Sequence, residues 1–334
     1  MSIRVGINGF GRIGRNFFRA VKESGADLDI VAVNDLTDNT TLAQLLRLDS
    51  IYGRFPGSVE TTEEGIAVDG DEFAVTSVRN PAELPWKDLG ADIVIESTGL
   101  FTDRDSASGH LEGGAQKVIV SAPAKNEDVT IVRGANDGDY DPASHTVISV
   151  ASCTTNCVVP LAKVLHEAFG IEQGFMTTVH AYTNDQSLHD MPHKDLRRAR
   201  AGALSIIPTS TGAAVSASKP LPDLEGRMDG IALRVPVPVG SITDLVTVLG
   251  REASVEEVNE AFREAADGPL KGILEINTES VVSTDIVGNP HSCILDADST
   301  MAIGPLVKVL GWYDNEWGFS HRMVEVTQYV GEQL

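Results

Sequence analysis

Ile3-Arg4-Val5-Gly6-Ile7-Asn8-Gly9-Phe10-Gly11-Arg12-Ile13-Gly14-Arg15 decides the fold. A short β-branched run, Ile3–Ile7, leads into Gly9, Gly11 and Gly14, spaced G-x-G-x-x-G, and then into the helix-like stretch Asn16–Val21. In a strand-to-helix turn of this kind the first glycine makes the tight turn. The second lets a pyrophosphate approach the backbone, and the third lets helix and strand pack closely. The start of the helix offers unpaired N–H groups to the anion. Asp35 ends the next β-branched run, 21 residues past Gly14, where a carboxylate accepts from a ribose hydroxyl. The spacing predicts a dinucleotide-binding unit at the head of the chain.

Outward from this motif the first half alternates. The runs Ile30–Val33, Ile93–Ile95, Val118–Val120 and Val147–Val150 are separated by helical or turn-rich stretches, the pattern of a parallel sheet covered by helices. Residues 49–83 differ: Gly53, Pro56, Gly57, Gly65 and Asp69-Gly70 punctuate alternating segments and predict inserted hairpins. After residue 150 the texture changes. Cys153–Phe169 reads as a helix bent or weakened at Pro160, and Ser254–Asp267 as an amphipathic helix with Ser254 at its N-cap and Glu257 three residues on. Between and beyond them lie longer strand-like runs, Gly174–Ala181, Gly230–Val239, Ser241–Leu249, Ser280–Ile286 and Leu306–Tyr313, in a hairpin-like order. Ser320–Tyr329 is helical again. The expected fold class is α/β, a doubly wound parallel sheet followed by an α+β domain with a mixed or antiparallel sheet.

The 334 residues fit two domains and a core that needs no disulfide or metal staple. Hydrophobic residues at 42% and charged residues at 22% describe an ordinary globular chain. No apolar run reaches the length of a membrane span, and the N-terminus enters a strand directly rather than a signal peptide. With three cysteines in no disulfide pattern, a cytoplasmic protein is expected. The net charge of −22 repels nucleic acid and anionic membranes, so neither is expected as a partner. Any anionic ligand must be held by local arginines or helix N-termini. The cations comprise 9 lysines against 17 arginines, a low-lysine, acid-rich balance that resembles proteins of salt-accumulating organisms.

Ala151-Ser152-Cys153-Thr154-Thr155-Asn156-Cys157 joins the last strand of the first half to the Cys153–Phe169 helix. Cys153 at the helix start is placed where the dipole and the unpaired N–H groups favour a thiolate and an oxyanion. The hydroxyls of Ser152, Thr154 and Thr155 suit a phosphate. Cys157, one turn on, points into the packing, and Cys293 lies in no partner pattern; the spacing of the three excludes a zinc site. A nucleophilic cysteine needs a base. Among eight histidines His180, at the end of a strand, is the best placed, with His189, His193 and His291 in polar loops as rivals.

These residues carry a resemblance to a known family. Asn8–Arg15, Asn34-Asp35, Ser97-Thr98-Gly99-Leu100-Phe101, Ser121-Ala122-Pro123 and Ser152–Cys157 match it. So do Asp195–Arg200, Thr211-Gly212-Ala213-Ala214, Arg234-Val235-Pro236 and Trp312–Trp317. The chain resembles phosphorylating glyceraldehyde-3-phosphate dehydrogenases from end to end. The resemblance implies a nucleotide domain over residues 1–151, completed by a final helix at 316–334, and a catalytic domain over 152–315. It implies a homotetramer, NAD as cofactor, and glyceraldehyde 3-phosphate and inorganic phosphate as substrates. Cys153 matches the nucleophile and His180 the base. Arg12, Ile13, Asp35, Arg79, Ser121 and Asn315 match cofactor positions. Ser152, Thr154, Thr183, Arg198, Thr211, Gly212 and Arg234 match two anion sites.

Three departures stand out: Val150 where Asn is common, Val215-Ser216 for Lys-Ala, and Trp317 with Phe319 for other aromatics. None falls on the inferred chemistry. Erythrose 4-phosphate is the runner-up substrate, the Ser152–Cys157 motif being shared with the sister enzyme. A semialdehyde or acyl-phosphate reductase and a non-catalytic dinucleotide-binding protein are the other classes. Asp35, followed by Leu36 and Thr37 with no nearby arginine, predicts NAD over NADP, and the resemblance implies the same through Pro192, which matches the loop residue of NAD-using members.

Overall fold

The computed structural model describes residues 2–334 and divides into two compact units. The first takes in the chain to Ile131, Asp137–Ala151 and Ser320–Leu334; the second takes in Val132–Asn136 and Ser152–Phe319.

The first unit is built on a nine-stranded sheet. Its strands are β1 (Ile3–Asn8), β2 (Leu28–Asn34), β3 (Val59–Thr61), β4 (Gly65–Val68), β5 (Asp71–Thr76), β6 (Ile93–Glu96), β7 (Lys117–Val120), β8 (Val129–Thr130) and β9 (Val147–Ser149), in the order β8-β9-β7-β6-β1-β2-β5-β4-β3. From β8 to β5 every neighbouring pair is parallel; β5, β4 and β3 form an antiparallel meander at the edge, the hairpins expected between residues 49 and 83. Strand order reverses at β1, so β1 carries β2 on one side and β6 on the other, and a crevice opens beyond their carboxyl ends. The central strands are buried on both faces: Val5, Ile7, Ile93, Ile95, Val118 and Ile119 are all fully inaccessible. This explains their near-continuous β-branched runs. Helix α1 (Arg12–Ser24) follows β1 and ends at Gly25, whose φ of +65° provides the left-handed stop. Its apolar face sets Phe17 and Phe18 in the core, where Phe10 meets Phe18 and Phe73 edge to face and the rings of Phe18 and Phe73 are tilted.

The second unit holds an eight-stranded mixed sheet: β10 (Ile171–Ala181), β11 (Ile207–Ser210), β12 (Met228–Val235), β13 (Ser241–Leu249), β14 (Leu274–Asn277), β15 (Cys293–Asp296), β16 (Met301–Ile303) and β17 (Leu306–Tyr313). The order is β11-β12-β10-β13-β17-β15-β14, with β16 beside β17. β10 runs parallel to β12 and antiparallel to β13, in a register that sets His180 beside Arg234. Helix α2 (Cys153–Phe169) is buried along most of its length and runs unbroken through Pro160. Helix α3 (Val255–Asp267) begins with the expected reciprocal cap, Ser254 Oγ accepting from Glu257 N–H and the Glu257 carboxylate accepting from Ser254 N–H. Helix α4 (Trp317–Gly331) closes the chain.

Two expectations are corrected. Ser280–Ile286 is not a strand: Asp285 accepts from the Val282 N–H and ties the segment into a 3₁₀ turn over Ser283–Ile286. The strand expected over Gly230–Val239 ends at Val235, because Pro236 and Pro238 have no N–H to give to a ladder.

Candidate active site

The chemistry starts at the N-terminus of α2. Ala151, just before it, adopts φ +58°, a left-handed conformation that a β-carbon disfavours and that turns the chain sharply. Ser152 is the N-cap: its Oγ accepts from Thr155 N–H at 3.0 Å and meets Thr155 Oγ1 at 2.8 Å. The expected phosphate hydroxyl is thus also the helix cap. Cys153 is the first residue of the helix, and its Sγ lies 3.4 Å from Nε2 of His180 at the end of β10. His189, His193 and His291 take no part in this contact.

The tautomer of His180 follows from its other nitrogen. Nδ1 stands 2.7 Å from the Ala181 carbonyl oxygen, which can only accept, and 3.2 Å from Arg234 Nη1, which can only donate; the much shorter carbonyl contact puts the hydrogen on Nδ1, and Nε2 turns a lone pair toward Sγ. Arg234, beside His180 in the register of β10 and β12, donates through its Nη1 to the same carbonyl at 3.1 Å and to Thr183 Oγ1 at 3.3 Å. Burial pushes the Cys153 thiol up to about 11, and Arg234 and the Thr154 hydroxyl and N–H pull it back toward the thiolate. Burial and then Arg234 push His180 down to about 3. The resting pair therefore holds one proton, on sulfur, with an unprotonated imidazole aimed at it.

Sequence reasoning missed Tyr313. Its hydroxyl bridges Thr154 Oγ1 at 2.9 Å and Thr178 Oγ1 at 2.7 Å, and its ring packs edge-on against His180 at 5.9 Å. Tyr313 thereby fixes the imidazole plane. Inside the aromatic Trp312–Trp317 motif nothing but the fold distinguishes it. The Thr154 hydroxyl, expected at a phosphate, is held here by Tyr313, while its N–H remains at the helix start.

Arg234 feels a second cation, Arg198. Arg234 is mostly buried, and its Nε has no partner. Arg198 donates through Nε to Thr209 Oγ1 at 2.8 Å and through Nη1 to Asp185 at 2.7 Å; Asp195 accepts from the same Thr209 hydroxyl at 2.7 Å. Asp185 and Asp195 hold Arg198 as a rigid fork, and neither was singled out from sequence. Thr211 Oγ1 accepts from Ala213 N–H, and Gly212 opens the short helix Ala213–Ser216; a β-carbon on Gly212 would meet nothing closer than 3.8 Å. Two guanidiniums, two threonines and unpaired N–H groups make this edge of the second unit suited to anions.

The crevice of the first unit is a cavity of about 320 Å³ lined among others by Gly9, Gly11, Asp35, Arg79 and Thr98. Gly9 has φ +91°, and a β-carbon on it would strike the Thr98 backbone at 2.7 Å; one on Gly14 would lie 2.2 Å from the Gly9 carbonyl. One on Gly11 would meet nothing within 4 Å, so the open side of the loop is at Gly11. Helix α1 has no side-chain cap and no acid in its first turn, and its positive end favours an anion. Asp35 takes the Phe10 N–H on Oδ2 at 2.8 Å and the Thr37 N–H on Oδ1 at 3.0 Å, and it remains partly exposed at the cavity. These features fit a dinucleotide. Arg12 instead pairs with Asp49 at 3.0 Å, Ile13 is part-buried in the first turn of α1, and Ser121 follows β7 with its N–H on the Glu96 carbonyl. Asn315 lies in the second unit; its Oδ1 accepts from Gly240 N–H and Ser241 Oγ, leaving the amide nitrogen as the donating end.

Fold and site together define a two-unit protein with a crevice suited to a dinucleotide and a cysteine–histidine pair at a helix start. The family described as glyceraldehyde 3-phosphate dehydrogenase, NAD binding domain, matches residues 3–104, and its C-terminal domain matches residues 152–315. The chain belongs to the glyceraldehyde-3-phosphate dehydrogenase family. It is 62% identical to a glyceraldehyde-3-phosphate dehydrogenase of Streptomyces coelicolor and 60% identical to glyceraldehyde-3-phosphate dehydrogenase 2 of Streptomyces avermitilis. It is 57% identical to the enzyme of that name from Mycolicibacterium smegmatis, and all three matches span the whole of both chains. NAD is the cofactor that the family's first domain binds.

Proposed function

We propose that the protein oxidises and phosphorylates D-glyceraldehyde 3-phosphate to 1,3-bisphosphoglycerate with NAD, in glycolysis or its reversal. The observation that carries this reading is the Cys153–His180 contact at the head of α2, beside Arg234 and within a chain of this family. Cys153 Sγ attacks the aldehyde carbon while its proton passes through His180 Nε2 to the carbonyl oxygen, giving a thiohemiacetal. The N–H groups at the start of α2 stabilise the developing oxyanion. NAD, when bound, supplies the two-electron acceptor. His180 takes back the hydroxyl proton as the carbon is oxidised, leaving a thioester on Cys153. An oxygen of inorganic phosphate attacks this thioester, the thiolate leaves and regains its proton from His180, and the acyl phosphate departs. Arg198, Arg234, Thr183, Thr211, Gly212, Ser152 and the Thr154 N–H hold the two phosphates. Gly9, Gly11, Gly14, Arg12, Ile13, Asp35, Arg79 and Ser121 hold the dinucleotide, and Asn315 matches a further cofactor position of the family. On this reading residues 1–151 with 316–334 form the nucleotide domain and 152–315 the catalytic domain.

The working form is a cytoplasmic homotetramer adapted to high salt. Supporting the assembly, the outward face of the second unit's sheet carries apolar side chains among charged ones: Phe175 is 74% exposed and Ile231 50%, with Val246, Val248 and Leu306 on the same face as Asp229, Asp244 and Lys308. A patch of this kind on a sheet asks for a partner surface, and a second copy supplies one. Among the described residues no helix is long and apolar enough to cross a membrane. Comparing the specificity constants of glyceraldehyde 3-phosphate and erythrose 4-phosphate tests the substrate, and sedimentation tests the assembly.

A further inference from the structure

Beneath the crevice of the first unit lies a polar cluster that the proposed chemistry does not use. Glu96, the last residue of β6, is 1% exposed and His110 is completely buried. Trp86, also completely buried, donates its indole N–H to His110 Nδ1 at 2.9 Å. An indole nitrogen can only donate, so Nδ1 accepts and the ring hydrogen sits on Nε2, which gives it to Glu96 Oε2 at 3.0 Å. A second chain reaches the same oxygen. The Val78 N–H donates to Asn34 Oδ1 at 2.8 Å, Asn34 Nδ2 to Asn8 Oδ1 at 2.7 Å, and Asn8 Nδ2 to Glu96 Oε2 at 2.6 Å. Oε1 takes the Thr98 N–H at 2.8 Å together with the Thr98 hydroxyl. His110, Asn8 and both donors of Thr98 thus converge on one carboxylate, while Asn34 Nδ2 is held a second time by the Val78 carbonyl at 2.9 Å.

The same carboxylate controls the crevice. Asn8, Asn34 and Thr98 line it, and Thr98 is the residue whose backbone lies against Gly9. We infer that Glu96, held by the Trp86–His110 pair, is a positioning residue for the cofactor: it clasps the glycine loop to the Thr98 loop and so sets the shape of the dinucleotide crevice. This rests on the dinucleotide reading of that crevice. The directionality makes the role specific to a carboxylate. In Glu96→Gln the new NH₂ faces either the Asn8 and His110 donors or the two donors of Thr98. Neither orientation is satisfied. Asn8 cannot turn its amide to relieve the clash without turning Asn34 against the Val78 N–H. His110 cannot change tautomer without setting its Nδ1–H against the indole N–H of Trp86.

The test is direct titration of NAD into the unsubstituted protein, Glu96→Gln and the milder Trp86→Phe, with kcat and both KM values measured on each. Glu96→Gln should weaken NAD binding about tenfold or more, the scale of one unpaired buried hydrogen bond. Its kcat at saturating NAD and its KM for the aldehyde should stay within about twofold, since the damage is confined to the crevice. Trp86→Phe keeps the ring against Gly6 and should give a smaller loss in the same direction. If Glu96→Gln does not fold, Trp86→Phe decides alone. NAD affinity unchanged in the folded variants, or kcat and aldehyde KM falling in step with it, overturns the positioning role. An unsubstituted protein that binds no NAD overturns the cofactor reading and this inference with it.

Discussion

Cys153 Sγ and His180 Nε2 lie 3.4 Å apart, and the Nδ1–H bond to the Ala181 carbonyl leaves that Nε2 no role but acceptor. This geometry supports the proposed roles of nucleophile and base together. Cys153→Ser should nearly abolish aldehyde oxidation, and His180→Asn should lower kcat by roughly 10²–10⁴, the range of a general base. Cys157→Ser, whose thiol is buried against Gly311, should keep most of the activity. Steady-state rates of the three variants check this; a Cys153→Ser enzyme of normal turnover would defeat it.

Arg234 lowers the pKa of the thiol and of the imidazole alike. Its removal therefore raises both. In Arg234→Leu less thiolate exists at any given pH, so the pH profile of Cys153 alkylation by iodoacetamide should move upward. Alkylation rates from pH 6 to 10, spanning the ordinary thiol range, measure it. A profile that stays in place or moves down would show that the guanidinium does not act on the thiol.

Asp128 ties β8 to β9. Burial works against its charge, but Arg104 at 2.7 Å, the Val147 and Thr146 N–H groups and the Thr146 hydroxyl outweigh it and hold the carboxyl down at about 2. A carboxyl depressed on folding contributes stability above its unfolded pKa of about 4 and loses it as pH falls through the folded value. Asp128→Asn should cost about 2 kcal/mol at neutral pH and flatten the stability profile between about pH 4 and 2. Urea denaturation across that range gives the answer; parallel profiles for the two proteins would refute it.

Asp35 accepts from Phe10 and Thr37 and presents its remaining lone pairs at the crevice. A 2′-phosphate would meet this charge, so NAD should be preferred over NADP. Asp35→Ala should narrow the preference and also loosen the glycine loop, raising KM for NAD itself. Specificity constants for both cofactors, before and after the substitution, separate the two effects. Equal constants in the unsubstituted enzyme would remove Asp35 as the discriminator.

With 48 acidic and 26 basic residues, the chain repels itself at low salt. The Debye length falls from roughly 30 Å at 0.01 M to about 3 Å at 1 M, so molar KCl screens most of that repulsion. Melting temperature and the content of the proposed tetramer should rise together with salt. A melting temperature and sedimentation coefficient both constant from about 0.05 to 2 M, the range over which screening saturates, would exclude salt adaptation.

The parts of the fold legible in the sequence are those where local chemistry is decisive. The glycine loop, the parallel strands buried on both faces, and the α3 cap each carry their own pattern. The strand Ile207–Ser210 went unseen because Pro208 argues against a strand; it sits at the sheet edge, where a missing N–H is tolerated. Ser280–Ile286 misled because its valines suggest a strand while Asp285 closes a turn. At the site, Cys153 and the arginines carried their chemistry openly. Tyr313, Asp185 and Glu96 did not: each acts through a partner distant in sequence, Asp185 reaching Arg198, Tyr313 reaching Thr154 and Glu96 reaching Asn8, and only the fold joins them.

The central claim is that Cys153 carries an acyl group to inorganic phosphate. The most direct measurement is NAD reduction with glyceraldehyde 3-phosphate in the presence and absence of phosphate. Sustained turnover that requires phosphate, with at most one equivalent of NADH per site formed without it, is the predicted result. Turnover that proceeds equally without phosphate, or no NAD reduction under either condition, would contradict the account.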